Sequence, residues 1–175
     1  MSENHTEKKK RLLVGGGGFG RVVSEFATKD YECAFVDDDI PAGTELRKTY
    51  DMLIVTIGNN QLREQIYEKT EALDYAFPNI ICNSVYISPF AKIGHGCVML
   101  QNVVVQNGSV VDNGVLLNPG VEIHHGSFVD DNVLIYTNSV IRTMARVGKR
   151  VRIGSNVTVS NDVVVADVKN GETLY

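Results

Sequence analysis

From Ile81 to Val165 an aliphatic residue returns at every sixth position without a break, passing through Ile87, Met99, Leu117, Ile135 and Ile153. Four places after each stands something small or β-branched, such as Val85, Ala91, Cys97, Ser109, Val121 and Ser139. Over three residues, alternation turns the small and the aliphatic side chains to one side and the residue between them to the other. Three further residues complete the unit, and the last of them is Gly or Asn at 96, 102, 108, 114, 120, 126, 132 and 138. These two residue types tolerate a left-handed backbone, so this column predicts sharp corners. Met144, Arg150, Asn156 and Asp162 continue it. Six residues per side and three sides per turn predict a parallel β-helix of triangular section, with residues eighteen apart stacked at about 4.8 Å per coil.

The residue in the middle of each strand faces out, where a solvated surface favours polar groups. One side instead stacks Val98, Leu116 and Leu134, ending in Arg152. The second carries Val104, Glu122, Val140 and Thr158, and the third Val110, Phe128, Arg146 and Val164. The aliphatic stripe on the first side predicts a surface that associates with further copies and closes most simply into a ring of three.

Before the repeat the periodicity changes. Leu12-Leu13-Val14 reads as a buried strand, Gly15 to Gly20 as a turn, Arg21 to Thr28 as a helix, and Cys33 to Val36 as a second strand ending in Asp37-Asp38-Asp39. A third strand, Met52 to Ile57, runs into Gly58-Asn59-Asn60 and a helix from about Gln61 to Lys69. Strand, glycine turn, helix, strand and acid have the spacing of a dinucleotide fingerprint, in which glycines admit a phosphate or sugar close to the backbone. About 70 residues make half of such a fold. One nucleotide or a nucleotide-sugar fits that space better than NAD, with glycines that only pack helix on strand as the lesser alternative. The chain thus divides into a polar tail (1–10), an α/β half-Rossmann nucleotide-sugar-binding domain (11–79), a β-helix domain (80–166) and a C-terminal segment (167–175).

Composition narrows the classes. The 175 residues carry a net charge of −4 and are 43% hydrophobic, which suits a globular protein and no nucleic-acid binder. No apolar run of about 18 residues and no signal peptide stand in the sequence, so no membrane is expected and the setting is read as cytoplasmic. The three cysteines (Cys33, Cys82 and Cys97) lie in strand-like segments as small hydrophobes.

Gly15 to Gly20, Phe35-Val36-Asp37-Asp38, Ile57-Gly58-Asn59-Asn60 with Arg63, and Asn118 to His125 together resemble the bacterial sugar acyltransferases. This is the family of the sialic acid O-acetyltransferases and of the UDP-4-amino-sugar N-acetyltransferase of bacillosamine synthesis. The resemblance implies that the β-helix of hexapeptide repeats is left-handed and that the protein is a homotrimer with acetyl-CoA in a groove between neighbouring prisms. It implies an acetyltransferase acting on the amino or hydroxyl group of a UDP-sugar in surface-polysaccharide or glycan synthesis. Carried over position by position, it assigns substrate binding to Gly17, Gly18, Phe19, Asp37, Asp38, Gly58, Asn59, Asn60, Arg63 and Asn118. Coenzyme binding falls on Arg142, Thr143, Gly148 and Gly154, and the general base on His125. Gly126 stands where the family has an acid beside that histidine, and Leu134 where it has a second histidine.

His124 and His125 fall in a corner, where an imidazole of pKa about 6.5 can take a proton from an amine or hydroxyl attacking a thioester. With Gly126 in place of the acid, Glu122, Asp130, Asp131 or a main-chain oxygen are the candidates to orient the ring. Two exposed turn histidines without a role are the plain alternative. Between Asn132 and Asn161 stand Arg142, Arg146, Lys149, Arg150 and Arg152 and no acid, which suits the phosphates of CoA or else a solvated basic face. His95, His124 and His125 lack the spacing of a zinc site on a prism of this kind, so no metal is expected. A regulatory module that binds a nucleotide-sugar without turning it over, and an NAD-dependent oxidoreductase, are the remaining functional alternatives.

Overall fold

The structure is a computed structural model and describes residues 10–15, 17–36, 44–168 and 173–174. A small parallel sheet opens the chain, formed by β1 (Lys10–Gly15), β2 (Tyr31–Val36) and β3 (Met52–Val55) in the order β2-β1-β3. The helices are α1 (Gly17–Ala27), α2 (Thr44–Arg47) and α3 (Asn60–Glu71). The expected strands and both expected helices are present. α1 starts four residues earlier than the apolar spacing suggests, because the glycines themselves form its first turn. Asp37 and Asp38 lie outside the described residues.

The repeat then winds fifteen two-residue strands, numbered in chain order, into three stacked sheets. The first contains β4 (Ile80–Ile81), β7 (Val98–Met99), β10 (Leu116–Leu117), β13 (Leu134–Ile135) and β16 (Arg152–Ile153), extended by β19 (Thr173–Leu174). The second contains β5 (Tyr86–Ile87), β8 (Val104–Val105), β11 (Glu122–Ile123), β14 (Val140–Ile141) and β17 (Thr158–Val159). The third contains β6 (Lys92–Ile93), β9 (Val110–Val111), β12 (Phe128–Val129), β15 (Arg146–Val147) and β18 (Val164–Val165). Every pairing is parallel and joins residues eighteen apart within the repeat, as in Leu116 with Leu134.

The inward set predicted from periodicity is the core. Met99, Val105, Val111, Leu117, Ile123, Val129, Ile135 and Ile141 are fully buried with their small partners Cys97, Val115, Val121, Val133 and Ala145. Ile81, on the first coil, is 40% exposed because its coil has only one neighbouring coil to cover it. The corner column has positive φ at every position from Gly96 to Asp162, including Met144 and Arg150 at 60°. A left-handed conformation costs a residue with a side chain about 1–2 kcal/mol. At those two positions the regular coil hydrogen bonds, Met144 N–H to His125 O and Arg150 N–H to Asp131 O, hold the turn.

The aliphatic stripe does not meet a second copy, and here the structure corrects the sequence reading. Val98, Leu116 and Leu134 are buried within the chain itself, under a cluster that includes Leu12 and Val14 of β1, Val23 and Ala27 of α1 and Ile54 of β3. The α/β unit thus sits on the first sheet. Its other sheet face, Leu53 and Val55, packs with Ile66 of α3 and with Tyr75. Residues far apart in the chain, such as Leu12 and Leu116, belong to one cluster, a relation that periodicity within either half does not contain.

Candidate functional site

The three edges of the prism have separate surroundings. Along the edge between the third and first sheets runs α3. Three of its side chains, at the helical spacing 60, 63 and 67, reach carbonyls of successive coils. The Asn60 amide donates to Arg150 O (2.8 Å) and Val151 O (3.0 Å). Arg63 donates from Nε to Gly114 O (2.9 Å), from Nη1 to Ile57 O (2.6 Å), and from Nη2 to Asn132 O. The Tyr67 hydroxyl donates to Gly96 O (3.0 Å) and accepts from Val55 N–H (3.1 Å). Asn60 and Arg63 are fully buried. Burial pushes the Arg63 guanidinium down to about 10, with carbonyl and amide oxygens in place of water around it. These two residues, expected to bind substrate, hold the two halves of the chain together in this structure. Asn59 caps α3, its side chain accepting from Leu62 N–H at 3.0 Å.

The glycine turn divides by role. A side chain at Gly20 would lie 3.0 Å from Thr56 Oγ1 and 3.3 Å from Val14, so this glycine lets α1 approach the sheet. Gly17 and Gly18 face open space and line a cleft with Val14, Arg21, Phe35 and Val36, at the carboxyl ends of β1 and β2. Open sheets of this kind bind ligands at that end. Phe19 instead packs into the cluster beneath the α/β unit. The sequence reading passed over Arg21 and the ring of Phe35, 55% exposed. An apolar residue on the open side of a strand beside the turn was the available signal. Gly58 is exposed, and its carbonyl accepts from Arg152 Nη2 at 2.9 Å.

His124 and His125 stand on the edge between the second and third sheets, opposite the face covered by the α/β unit. One coil on, in the same columns, come Arg142 and Thr143, so three of the expected catalytic and coenzyme residues gather there. The other two do not. Gly154 shares a column with Asn118 on the edge between the first and second sheets, and Gly148 lies on the edge that α3 follows. Asn118 Oδ1 is enclosed without a hydrogen-bond partner.

The carboxylate partner belongs to the other histidine. His124 Nε2 lies 3.1 Å from Glu122 Oε2, both being outward residues on either side of the inward Ile123. His125 is exposed and meets Gln106 of the preceding coil, whose Oε1 accepts from His125 N–H (3.1 Å) and lies 3.4 Å from Nδ1. Asp130 and Asp131 turn instead to Lys149, at 3.9 and 2.8 Å. Burial raises the Asp131 carboxyl, but the bonds from Lys149 and Asn113 outweigh it and hold it below its ordinary value. Asp112 is pushed up by burial and by Asp131 and Asp130 nearby. These three carboxylates lie within 4.8 Å of one another and could hold a cation, a place where Lys149 now supplies the positive charge.

The basic run does not form one patch. Arg146 lies over the Phe128 ring at 5.7 Å, Arg150 pairs with Glu64 at 2.8 Å, and Arg152 reaches Gly58. Arg142 stays exposed on the histidine edge.

Residues 10–70 match the family model described as the PglD N-terminal domain. The chain is 31% identical over 111 residues to UDP-N-acetylbacillosamine N-acetyltransferase of Bacillus subtilis, a match covering 53% of this chain and about half (51%) of that relative's length. Among solved structures it is similar to the acetyltransferase domain of PglB from Neisseria gonorrhoeae in complex with acetyl coenzyme A. There the identity is 30%, the TM-score 0.66, and the coverage 95% of this chain and 96% of that one. A variant of GDP-perosamine N-acetyl transferase from Caulobacter crescentus, in complex with CoA and GDP-perosamine, matches at 19% identity and a TM-score of 0.71 over 94% of this chain and 92% of that one. That likeness speaks to the fold, a left-handed parallel β-helix behind a short α/β region.

Proposed function

Since the chain belongs to the hexapeptide-repeat sugar acetyltransferases, the family of the gonococcal PglB domain, we propose that it transfers an acetyl group from acetyl-CoA to an amino or hydroxyl group of a UDP-sugar. The observation that carries this reading is the histidine edge, where His125 stands exposed with Thr143 and Arg142 on the next coil. His125 accepts the proton as the acceptor attacks the thioester carbonyl, and the sulfur of CoA leaves and takes up a proton. Arg142 offers its charge to the coenzyme phosphates. The relatives are named as N-acetyltransferases, which supports an amine as the acceptor. The cleft at Gly17 and Gly18 is the place for the nucleotide, with Arg21 toward its phosphates and Phe35 toward its base.

The cleft belongs to a unit seated on the first sheet, whereas His125 occupies the opposite edge. A homotrimer resolves this separation by setting the histidine edge of one copy beside a neighbour. The second and third sheets flank that edge and carry half-buried Val104, Val140, Val110 and Phe128 for such a contact. Among the described residues no helix is long and apolar enough to cross a membrane, and a cytoplasmic site suits both co-substrates. The test is to supply acetyl-CoA with a panel of UDP-amino-sugars and follow free thiol. Thiol release on one of them is expected. NAD binding without any binding of a UDP ligand, measured by calorimetry, overturns the reading.

A further inference from the structure

A given imidazole nitrogen serves as a base only in the tautomer whose proton sits on the other nitrogen, and the partner of that other nitrogen decides which tautomer forms. On this edge Gly126 supplies no side chain, Glu122 is engaged by His124, and Asp130 and Asp131 belong to the Lys149 cluster. Gln106 is the side chain that meets the His125 ring. It occupies the column of His124 one coil earlier and reaches diagonally to His125.

The amide's orientation follows from its strongest contact. The backbone N–H of His125 can only donate, so the atom 3.1 Å from it is the oxygen. That same oxygen faces Nδ1 at 3.4 Å. An oxygen without a proton can only accept, so the ring that suits this contact carries its hydrogen on Nδ1. The lone pair then lies on Nε2, on the far side of the ring from Gln106. The 3.4 Å separation is long for a hydrogen bond, and contacts of this kind tighten in the reacting complex.

We propose that Gln106 is the positioning residue of the site: it fixes His125 in the Nδ1–H tautomer and so presents Nε2 as the base. This rests on the acyl-transfer reading, and it locates the orienting group on a different coil, as a neutral amide. A neutral amide orients the ring without adding the charge by which a carboxylate favours imidazolium. The charged groups around this corner are Glu122 and His124 on the same coil and Arg142 on the next.

Wild type, Gln106→Leu and Gln106→Glu decide it. Nitrogen-15 spectra of the His125 ring are expected to show the Nδ1–H form in the wild type and loss of that form in Gln106→Leu. In transfer assays Gln106→Leu loses about tenfold or more in kcat, with KM for coenzyme and sugar unchanged. Gln106→Glu recovers most of kcat, and the acidic limb of its pH profile moves to higher pH. A wild-type ring in the Nε2–H form, or a Gln106→Leu enzyme with unaltered kcat and pH limb, overturns the proposal. Full activity of His125→Ala, or no transfer by the wild type, refutes the acyl-transfer reading instead. The tautomer spectrum decides the role of Gln106 in either case.

Discussion

Met144 stands against Gly126 of the preceding coil so closely that a Cβ on the glycine would overlap the Met144 sulfur. Gly126 also has φ of 69°. An acid at this site would thus have to adopt a left-handed backbone and displace the exposed thioether below. Gly126→Glu is expected to lower stability by about 1–2 kcal/mol from the backbone alone, with more from the contact. Met144→Ala should relieve the second part and leave the first. Thermal melts of the single and double variants check this.

Arg63→Met keeps the volume of the stem and removes every donor. Gly114, Asn132 and Ile57 would each keep a carbonyl short of its partner, at about 1–3 kcal/mol apiece where burial is complete. A loss of at least about 3 kcal/mol in denaturant unfolding is expected, with hydrogen exchange rising first in α3. A loss within ~0.5 kcal/mol would show that the carbonyl contacts contribute little.

Leu116→Asp puts a carboxylate beneath the α/β unit, where Leu116 is fully buried among Val98, Leu134 and Val23. The expected result is protease sensitivity of the first 70 or so residues and a lowered melting temperature, since a buried charge without a partner costs several kcal/mol. Dissociation of a trimer into otherwise intact subunits would contradict the packing described above.

His125→Ala is expected to abolish transfer while the melting temperature stays within about a degree or two, because an exposed corner side chain contributes little packing. Coenzyme binding by calorimetry should persist.

The repeat was legible in the sequence because each coil obeys a local rule: inward aliphatic, outward middle residue, left-handed corner. Ile123 and Gly126 need no distant partner to reveal their places. Arg63 and Asn60 do, since their partners Gly114 and Arg150 lie fifty or more residues away. The stripe of Val98, Leu116 and Leu134 was read correctly as apolar and outward, but what covers it is α1 and β1. Gln106 was hidden for another reason. Column arithmetic places it above His124, and the diagonal reach to His125 is a matter of side-chain geometry.

Asp112 and Asp131 should answer acid in opposite senses. The folded carboxyl of Asp112 lies above its unfolded value, so ionisation opposes folding and stability falls as pH rises through that window. Asp112→Asn should therefore raise the melting temperature at about pH 7 and change it little near pH 3, below both values. Asp131 lies below its unfolded value, so its contribution is present above about pH 4 and is lost as pH falls through the folded value. Asp131→Asn should accordingly lower the melting temperature at neutral pH and converge with wild type in acid.

A stack of near-identical coils has no datum of its own, for any rung resembles the one about 4.8 Å above it. A side chain carried by one rung alone supplies one. Glu64 of α3 pairs with Arg150, whose column holds Gly114, Asn132 and Val168 on other rungs, so sliding the α/β unit by a single rung would break that ion pair. The helix acts as an index pin: it sets the height of the glycine cleft on the shaft, and with it, in the proposed trimer, the height at which a neighbour's histidine would stand.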